Sequence, residues 1–267
     1  MCRLLGYLGA PVKLEQLIQS ADHSLVEQSY QPREMTAGLL NADGFGIACF
    51  DVDREEAPFV YRSILPIWND SNLPSICRYV QSDCVIASVR SATPGLAVDL
   101  SNCQPYSYGG WIFAHNGYID NFRRTLYRPM ADLLTDEIYQ NVHGTTDSEH
   151  IFALLLQYLR QLPDRPLVAL AQTVHQVWQL AQEWGVWVSL NLLFSDGQKL
   201  YGCRYSSRSP APSLYYLQVE QGVYVASEPM QFRYLPEDQR WQAVPEFSMT
   251  EIWRKEDGSW GLAVHSL

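Results

Sequence analysis

Hydrophobic and polar positions fall into two regimes along the 267-residue chain. Ahead of residue 145, short apolar runs such as GFGIACF, DCVIASVRS and WIFAHNG are separated by Asp-Gly, Pro-Gly and Asn-Gly, the pattern of β-strands joined by turns. A helix is expected within Leu14–Ser24. From Asp147 the period changes. SEHIFALLLQYLRQL and PLVALAQTVHQVWQLAQEW place apolar residues at helical spacing, broken by Pro163 and Pro166, and predict two antiparallel helices. Thr146 or Asp147 would cap the first of them, with acidic residues in its first turn. VWVSLNLLFSDGQKLYGCRYSS and SLYYLQVEQGVYVASEP then return to strand, with SDG and EQG as hairpin turns. SRSPAPS, with Pro210 and Pro212, is expected to be a surface loop. Strands, then helices, then strands predict a layered α+β fold. No repeat or low-complexity linker divides the chain, so residues 1–267 are expected to form one domain.

A hydrophobic fraction of 47% with 18% charged residues excludes an intrinsically disordered chain. A formal net charge of −10 and the absence of any Lys/Arg run argue against a nucleic-acid partner, because displacing phosphate counterions takes a basic stripe. No targeting signal opens the chain and no apolar stretch is long enough for a bilayer. A cytoplasmic protein with no membrane association is expected. Cysteines at 2, 49, 77, 84, 103 and 203 show neither C-x-x-C nor paired Cys/His spacing, so no metal site or disulfide framework is expected. Five of them lie among apolar or small neighbours, where a thiol acts as a small hydrophobe. Cys2 differs by its position.

Four segments carry chemistry: MCRLLGYLG, VRSATPG, FAHNGYID and GTTDSEH. Each has an ordinary structural reading. Asn-Gly suits a turn with positive φ, TTDSE suits a helix N-cap, an Arg in SVRS suits a structural carboxylate, and a Cys at position 2 can be incidental. Together they supply every part needed to cleave a carboxamide on an amino-acid substrate. A thiol nucleophile needs a base, since only the thiolate attacks and a free thiol has a pKa of about 8.5. Cys2 carries its own base once Met1 is removed, because an α-amino group with a pKa of about 7.7–8.0 is partly neutral near pH 7. Asn116 and Gly117 offer a side-chain and a backbone donor to an oxyanion. Arg90 and Asp147 complement a carboxylate and an ammonium.

These segments resemble the class II glutamine amidotransferases of the N-terminal-nucleophile hydrolase superfamily. The resemblance implies Cys2 as the nucleophile and Asn116 and Gly117 as the oxyanion donors. It implies Arg90 and Thr93 on the substrate α-carboxylate and Asp147 on its ammonium. It also implies a four-layer αββα sandwich formed by a single domain of this type, and no cofactor. QSYQPREMTAGLLNADGFGIACF, YRSILPIWND and SVRSATPG extend the likeness, over roughly the first 150 residues, to the ergothioneine-biosynthesis γ-glutamyl amidohydrolases. That subgroup implies a small-molecule partner, a γ-glutamyl hercynylcysteine sulfoxide-like conjugate hydrolysed to release glutamate. Where many ammonia-channelling members place Trp after the Arg and His-Gly after the Thr, this chain has Ser91 and Pro94-Gly95, which argues against free glutamine. The chain closes at Leu267 with no second domain to receive ammonia, so hydrolysis rather than transfer is expected. A trimethylammonium leaving group would favour aromatic faces, and Tyr30, Trp68, Trp111 and Tyr118 lie near the motifs. The competing readings are a glutathione-type γ-glutamyl peptide hydrolase, a glutaminase subunit feeding a separate synthase, and a non-catalytic sensor, which would have no use for the nucleophile. A homo-oligomer is left open.

Overall fold

A computed structural model describes residues 2–35, 38–51, 57–93 and 97–267; Met1, whose removal is expected above, and the Pro94-Gly95 departure lie outside these. β1 (Arg3–Lys13) leads into α1 (Leu14–Ile18) and α2 (Leu25–Tyr30), followed by β2 (Phe45–Cys49), β3 (Phe59–Ser63), α3 (Leu73–Tyr79) and β4 (Gln81–Val89). Next come β5 (Tyr106–Tyr108), β6 (Trp111–Ile119) and the helices α4 (Tyr127–Asp132), α5 (Asp136–Tyr139), α6 (Asp147–Gln161) and α7 (Pro166–Trp184). The remaining strands are β7 (Val188–Ser195), β8 (Lys199–Ser206), β9 (Tyr215–Val219), β10 (Gly222–Ala226), β11 (Gln242–Ala243), β12 (Ser248–Arg254) and β13 (Trp260–Ser266).

Among the described residues the strands form two antiparallel sheets, ordered β11-β9-β10-β1-β4-β2-β3 and β13-β12-β8-β7-β6-β5. Period-two alternation sends each strand's side chains to two different cores. From β1, Leu4 and Leu8 enter the layer between the sheets with Ile112 and Ala114 of β6 and Leu193 of β7. Leu5 and Tyr7 point the other way, under α1 and α2. Phe113, Leu190 and Leu192 lie beneath α6 and α7. The result is the four-layer αββα sandwich that the resemblance implied, and it satisfies the α+β expectation. Fully burying each of these leucines stabilises the stack by roughly 1.5–3 kcal/mol.

The two long helices lie where the periodicity put them. Thr146 is the N-cap of α6, its side chain accepting from Glu149 N, and α7 starts on Pro166 and ends on Gly185, whose φ of 63° suits the left-handed cap. The SDG and EQG hairpins join β7 to β8 and β9 to β10. Two expectations need correction. HNG is not a turn: it lies inside β6. SRSPAPS is only partly a surface loop, because Ala211 is buried and Arg204 donates to the carbonyls of Ala211, Pro212 and Val244, drawing the segment onto the sheet.

Candidate active site

Cys2 is the half-buried residue just ahead of β1. Alternation places it on the same strand face as Leu4, toward the layer between the sheets. Two contacts fix the start of the strand. Leu4 N donates to Ser227 Oγ at 2.9 Å, and Arg3 Nε donates to the Cys2 carbonyl at 2.7 Å. Asn116 shares its face of β6 with Ile112 and Ala114, so it enters the same layer from the opposite sheet. It is fully buried, and its Nδ2 donates to the same Ser227 Oγ at 3.2 Å. One hydroxyl therefore ties the beginning of β1 to Asn116, across a sequence separation of more than one hundred residues. Asn116 Oδ1 has no partner among the described residues.

Gly117 turns toward the helices together with His115. Its φ is not positive; a Cβ at this position would instead run into the Ser189 carbonyl and the His115 ring. That ring is buried, with Nε2 3.0 Å from Ser189 O and Nδ1 2.9 Å from Ser148 Oγ. A carbonyl can only accept, so Nε2 carries the proton. Burial pushes the His115 pKa below its ordinary value, against opposing pulls from Asp147 and the Ser189 carbonyl, and the ring is held neutral.

The edge of β6 opposite β7 is open beyond Phe113, because β5 pairs only with Trp111, Ile112 and Phe113. Side chains take its backbone donors in turn. His115 N donates to Gln104 Oε1 at 2.5 Å and Ile119 N to Asp147 Oδ2 at 2.9 Å. Alternation directs Gly117 N–H to this same edge. Among the described residues no side chain or loop carbonyl takes it.

Asp147 opens α6, where the helix dipole favours a negative charge. Its Oδ1 accepts from Ser148 N at 2.8 Å while Oδ2 holds Ile119, so the carboxylate is pinned between α6 and β6. Ser148 Oγ lies 3.2 Å from Asp147 Oδ1 and has one proton to divide between that oxygen and His115 Nδ1. Arg90 follows β4 and is buried. Its Nη1 donates to the Asp43 carbonyl at 3.2 Å, and among the described residues no carboxylate stands within ion-pair distance. Among the described residues the ordinary reading of this Arg, a structural ion pair, is not met. Thr93 is exposed and makes no side-chain hydrogen bond among the described residues.

The sequence reading missed Ser227, Glu228, Arg3 and His23. Glu228 is buried, with Oε1 2.9 Å from Arg3 Nη1 and accepting from Glu34 N at 3.0 Å. Its Oε2 lies 2.6 Å from His23 Nε2 and accepts from Arg33 N at 2.8 Å. Burial alone would raise this carboxyl's pKa, but His23, the two backbone N–H groups and Arg3 outweigh it and hold it at about 2. The only sequence signal was the polar pair Ser-Glu closing an apolar strand.

Of the four aromatics, Trp111 packs against Phe194 and Tyr201 under the helices, away from the layer between the sheets. Tyr30 and Trp68 form an exposed edge-on pair. Tyr118 lies on the Asn116 face of β6 and packs at 5.3 Å against Trp187, whose ring carries the Arg208 guanidinium at 5.3 Å. Among the described residues no cluster of three or more His, Cys, Asp or Glu could hold a metal ion, the cysteines are free, and no helix is long and apolar enough to cross a membrane.

Residues 1–220 match the family described as glutamine amidotransferases class-II. The chain is 32% identical to a gamma-glutamyl-hercynylcysteine sulfoxide hydrolase of Mycolicibacterium smegmatis, over 94% of this chain and 96% of that one. It is 31% identical to the probable glutamine amidotransferase DUG3 of Saccharomyces cerevisiae, over 94% and 82% of the two chains. A glutamine aminotransferase class-II domain protein of Silicibacter pomeroyi superposes with a TM-score of 0.70 at 28% identity, covering 99% of both chains. The glutamine phosphoribosylpyrophosphate amidotransferase of B. subtilis, at 14% identity and a TM-score of 0.64 over 49% of its own length, shares the fold.

Proposed function

The chain belongs to the class II glutamine amidotransferases, and on that premise we propose that it is a γ-glutamyl amidohydrolase whose nucleophile is Cys2, made N-terminal by loss of Met1. The observation that carries this reading is the pair of donors on β6. Among the described residues Gly117 N–H is the unclaimed donor between two claimed ones, and it adjoins an asparagine tied through Ser227 to the strand that follows Cys2. Ser227 Oγ serves either orientation of the Asn116 amide, accepting from Nδ2 or donating to Oδ1. The second orientation keeps the Leu4 N–H bond, satisfies the orphaned oxygen and frees both Nδ2 protons.

The chemistry follows from this geometry. The Cys2 amine takes the thiol proton, and the thiolate attacks the γ-carbonyl carbon. The oxyanion accepts from Asn116 Nδ2 and Gly117 N–H, donors fixed before charge develops. Collapse expels the leaving amine, which receives the proton held on the Cys2 amine, and leaves a glutamyl thioester. Water, deprotonated by the same amine, attacks the thioester to release glutamate and restore the thiol. Arg90, with Thr93, receives the substrate α-carboxylate and Asp147 its ammonium. Both ends of the glutamyl moiety are thereby held while only the carbonyl changes charge.

The leaving group is proposed to be bulky and cationic, as in the hercynylcysteine sulfoxide conjugate named for the mycobacterial relative. Tyr118, two positions from Asn116 on the same face of β6, supports this together with Trp187, which packs on Tyr118 and carries the Arg208 guanidinium on its ring. The test is a steady-state panel of free glutamine, γ-glutamylcysteine and the trimethylated sulfoxide conjugate, with Cys2→Ala as control. The expected result is highest kcat/KM on the conjugate, with the preference visible in kcat as well as KM, because a truncated substrate forfeits remote binding energy. Equal efficiency on all three would reject the cationic leaving group. Preference for γ-glutamylcysteine would support the peptide-hydrolase reading.

A further inference from the structure

We infer that Ser227 and Glu228, the two residues after β10, are positioning residues that hold Cys2 and Asn116 in register with each other. The inference rests on Cys2 being the nucleophile. An N-terminal residue ordinarily frays, because nothing precedes it to continue a ladder. Here the last backbone bond of β1 to β10 is Ser227 N to Leu4 O, at 3.0 Å, and the returning bond from Leu4 N goes to the Ser227 side chain instead of a carbonyl. The same Oγ is the Asn116 partner, and the Ser227 carbonyl is itself held by Ser213 Oγ at 2.9 Å. The hydroxyl thus sets the position of the strand carrying the nucleophile relative to the amide that would receive the oxyanion.

Glu228 acts on the other face of β1. Arg3 is fully buried, and its only carboxylate partner among the described residues is Glu228. The guanidinium spans two groups at once, with Nη1 on Glu228 and Nε on the Cys2 carbonyl. Fixing that carbonyl fixes the Cys2 Cα, from which both amine and thiol project. Glu228 is braced in turn by His23 and by the backbone of Arg33 and Glu34, so the anchor ties β1 to the segments on either side of α2. All four of its contacts use the carboxylate as an acceptor. A glutamine at 228 would turn an NH2 group toward two of these donors and leave Arg3 charged and unpaired. A lysine at 3 keeps the charge but cannot bridge both partners as a planar fork does.

Displacing a reacting atom by about 1 Å can cost on the order of a hundredfold in rate without changing ground-state binding. The experiment uses Ser227→Ala, Arg3→Lys and Glu228→Gln in the full chain, with Cys2→Ala alongside. Each is treated with 6-diazo-5-oxo-L-norleucine, a glutamine-shaped alkylator, and the adduct is located by peptide mass. Folding is followed by circular dichroism. In the folded variants the maximal inactivation rate at Cys2 should fall tenfold to a hundredfold, with half-saturation within threefold of wild type. Cys2→Ala should form no adduct. If folded Arg3→Lys, Ser227→Ala or Glu228→Gln inactivates at the wild-type rate, or changes only in half-saturation, the inference is overturned. It is overturned as well if none of the three folds, because the residues would then be structural. Turnover or labelling that persists in Cys2→Ala sinks the nucleophile assignment instead, so the two failures are distinguishable.

Discussion

At position 117 a side chain has no room, because the Ser189 carbonyl across the strand pair and the His115 ring both occupy the space. Gly117→Ala therefore overpacks a half-buried site with no free space and should lower stability by about 1–3 kcal/mol, read from the urea midpoint. A midpoint equal to wild type would show that the ring and the β6–β7 backbone both give way. Asn116→Ala should leave KM nearly unchanged and lower kcat by about 10²–10³, the loss expected of one oxyanion donor. A change confined to KM would remove Asn116 from that role. The sequence made Asn116 and Gly117 visible as a donor pair but left open a turn, because Asn-Gly carries both meanings. What decided between them was Ser189, seventy-two positions beyond Gly117, which no local pattern connects to this strand.

The first turn of α6 separates folding from binding within two adjacent residues. Thr146 supplies the cap, and Thr146→Ala should cost about 1 kcal/mol in stability while leaving KM unchanged. Asp147 uses its carboxylate on Ile119 N and Ser148 N, and keeps the charge proposed to meet the substrate ammonium. Asp147→Asn preserves the shape and loses the charge, so KM should rise at least tenfold, in line with the roughly 2–5 kcal/mol lost when one partner of a buried ion pair is neutralised. Arg90→Lys should raise KM in the same way. Thermal melts and Michaelis–Menten fits on the same three preparations check this division, and unchanged KM in both charge variants would make Arg90 and Asp147 structural. Elements were legible in proportion to their length. α6 and α7 run for enough turns that their periodicity is unambiguous, and β4 and β6 are each nine residues long with an apolar run. α2 and α3, at six and seven residues, are too short to show a period. β12 and β13 went unread because they sit toward the edge of their sheet, where β13 is half-exposed and mixes polar with apolar positions on both faces.

Across the whole molecule, the sandwich gathers residues that the sequence keeps far apart: Arg3, His23, Arg33, Glu34 and Glu228 meet around one carboxylate. Such a cluster is invisible to motif reading, because none of its members is close to another with a matching chemical role. It does set a pH signature. A carboxyl with a reference pKa of about 4.3 that titrates at about 2 in the fold contributes stability that is complete above the unfolded value and is lost as pH falls toward the folded one. His115 and His150, both lowered mainly by burial, act in the same direction at higher pH: below about 6.5 the unfolded chain binds protons that the folded chain refuses. Glu149 opposes them, since burial raises its pKa and acidification relieves that cost. Urea midpoints should therefore fall on acidification below about 6.5, change less where Glu149 takes up its proton, and fall again below about 4.3. Glu228→Gln removes the carboxyl responsible for the lowest limb, so its midpoints should run flatter than wild type between about pH 4.3 and 2 while keeping the histidine limb. Parallel curves for the two proteins over that interval would mean that Glu228 does not carry its charge in the fold, and would place the acid sensitivity elsewhere in the sandwich.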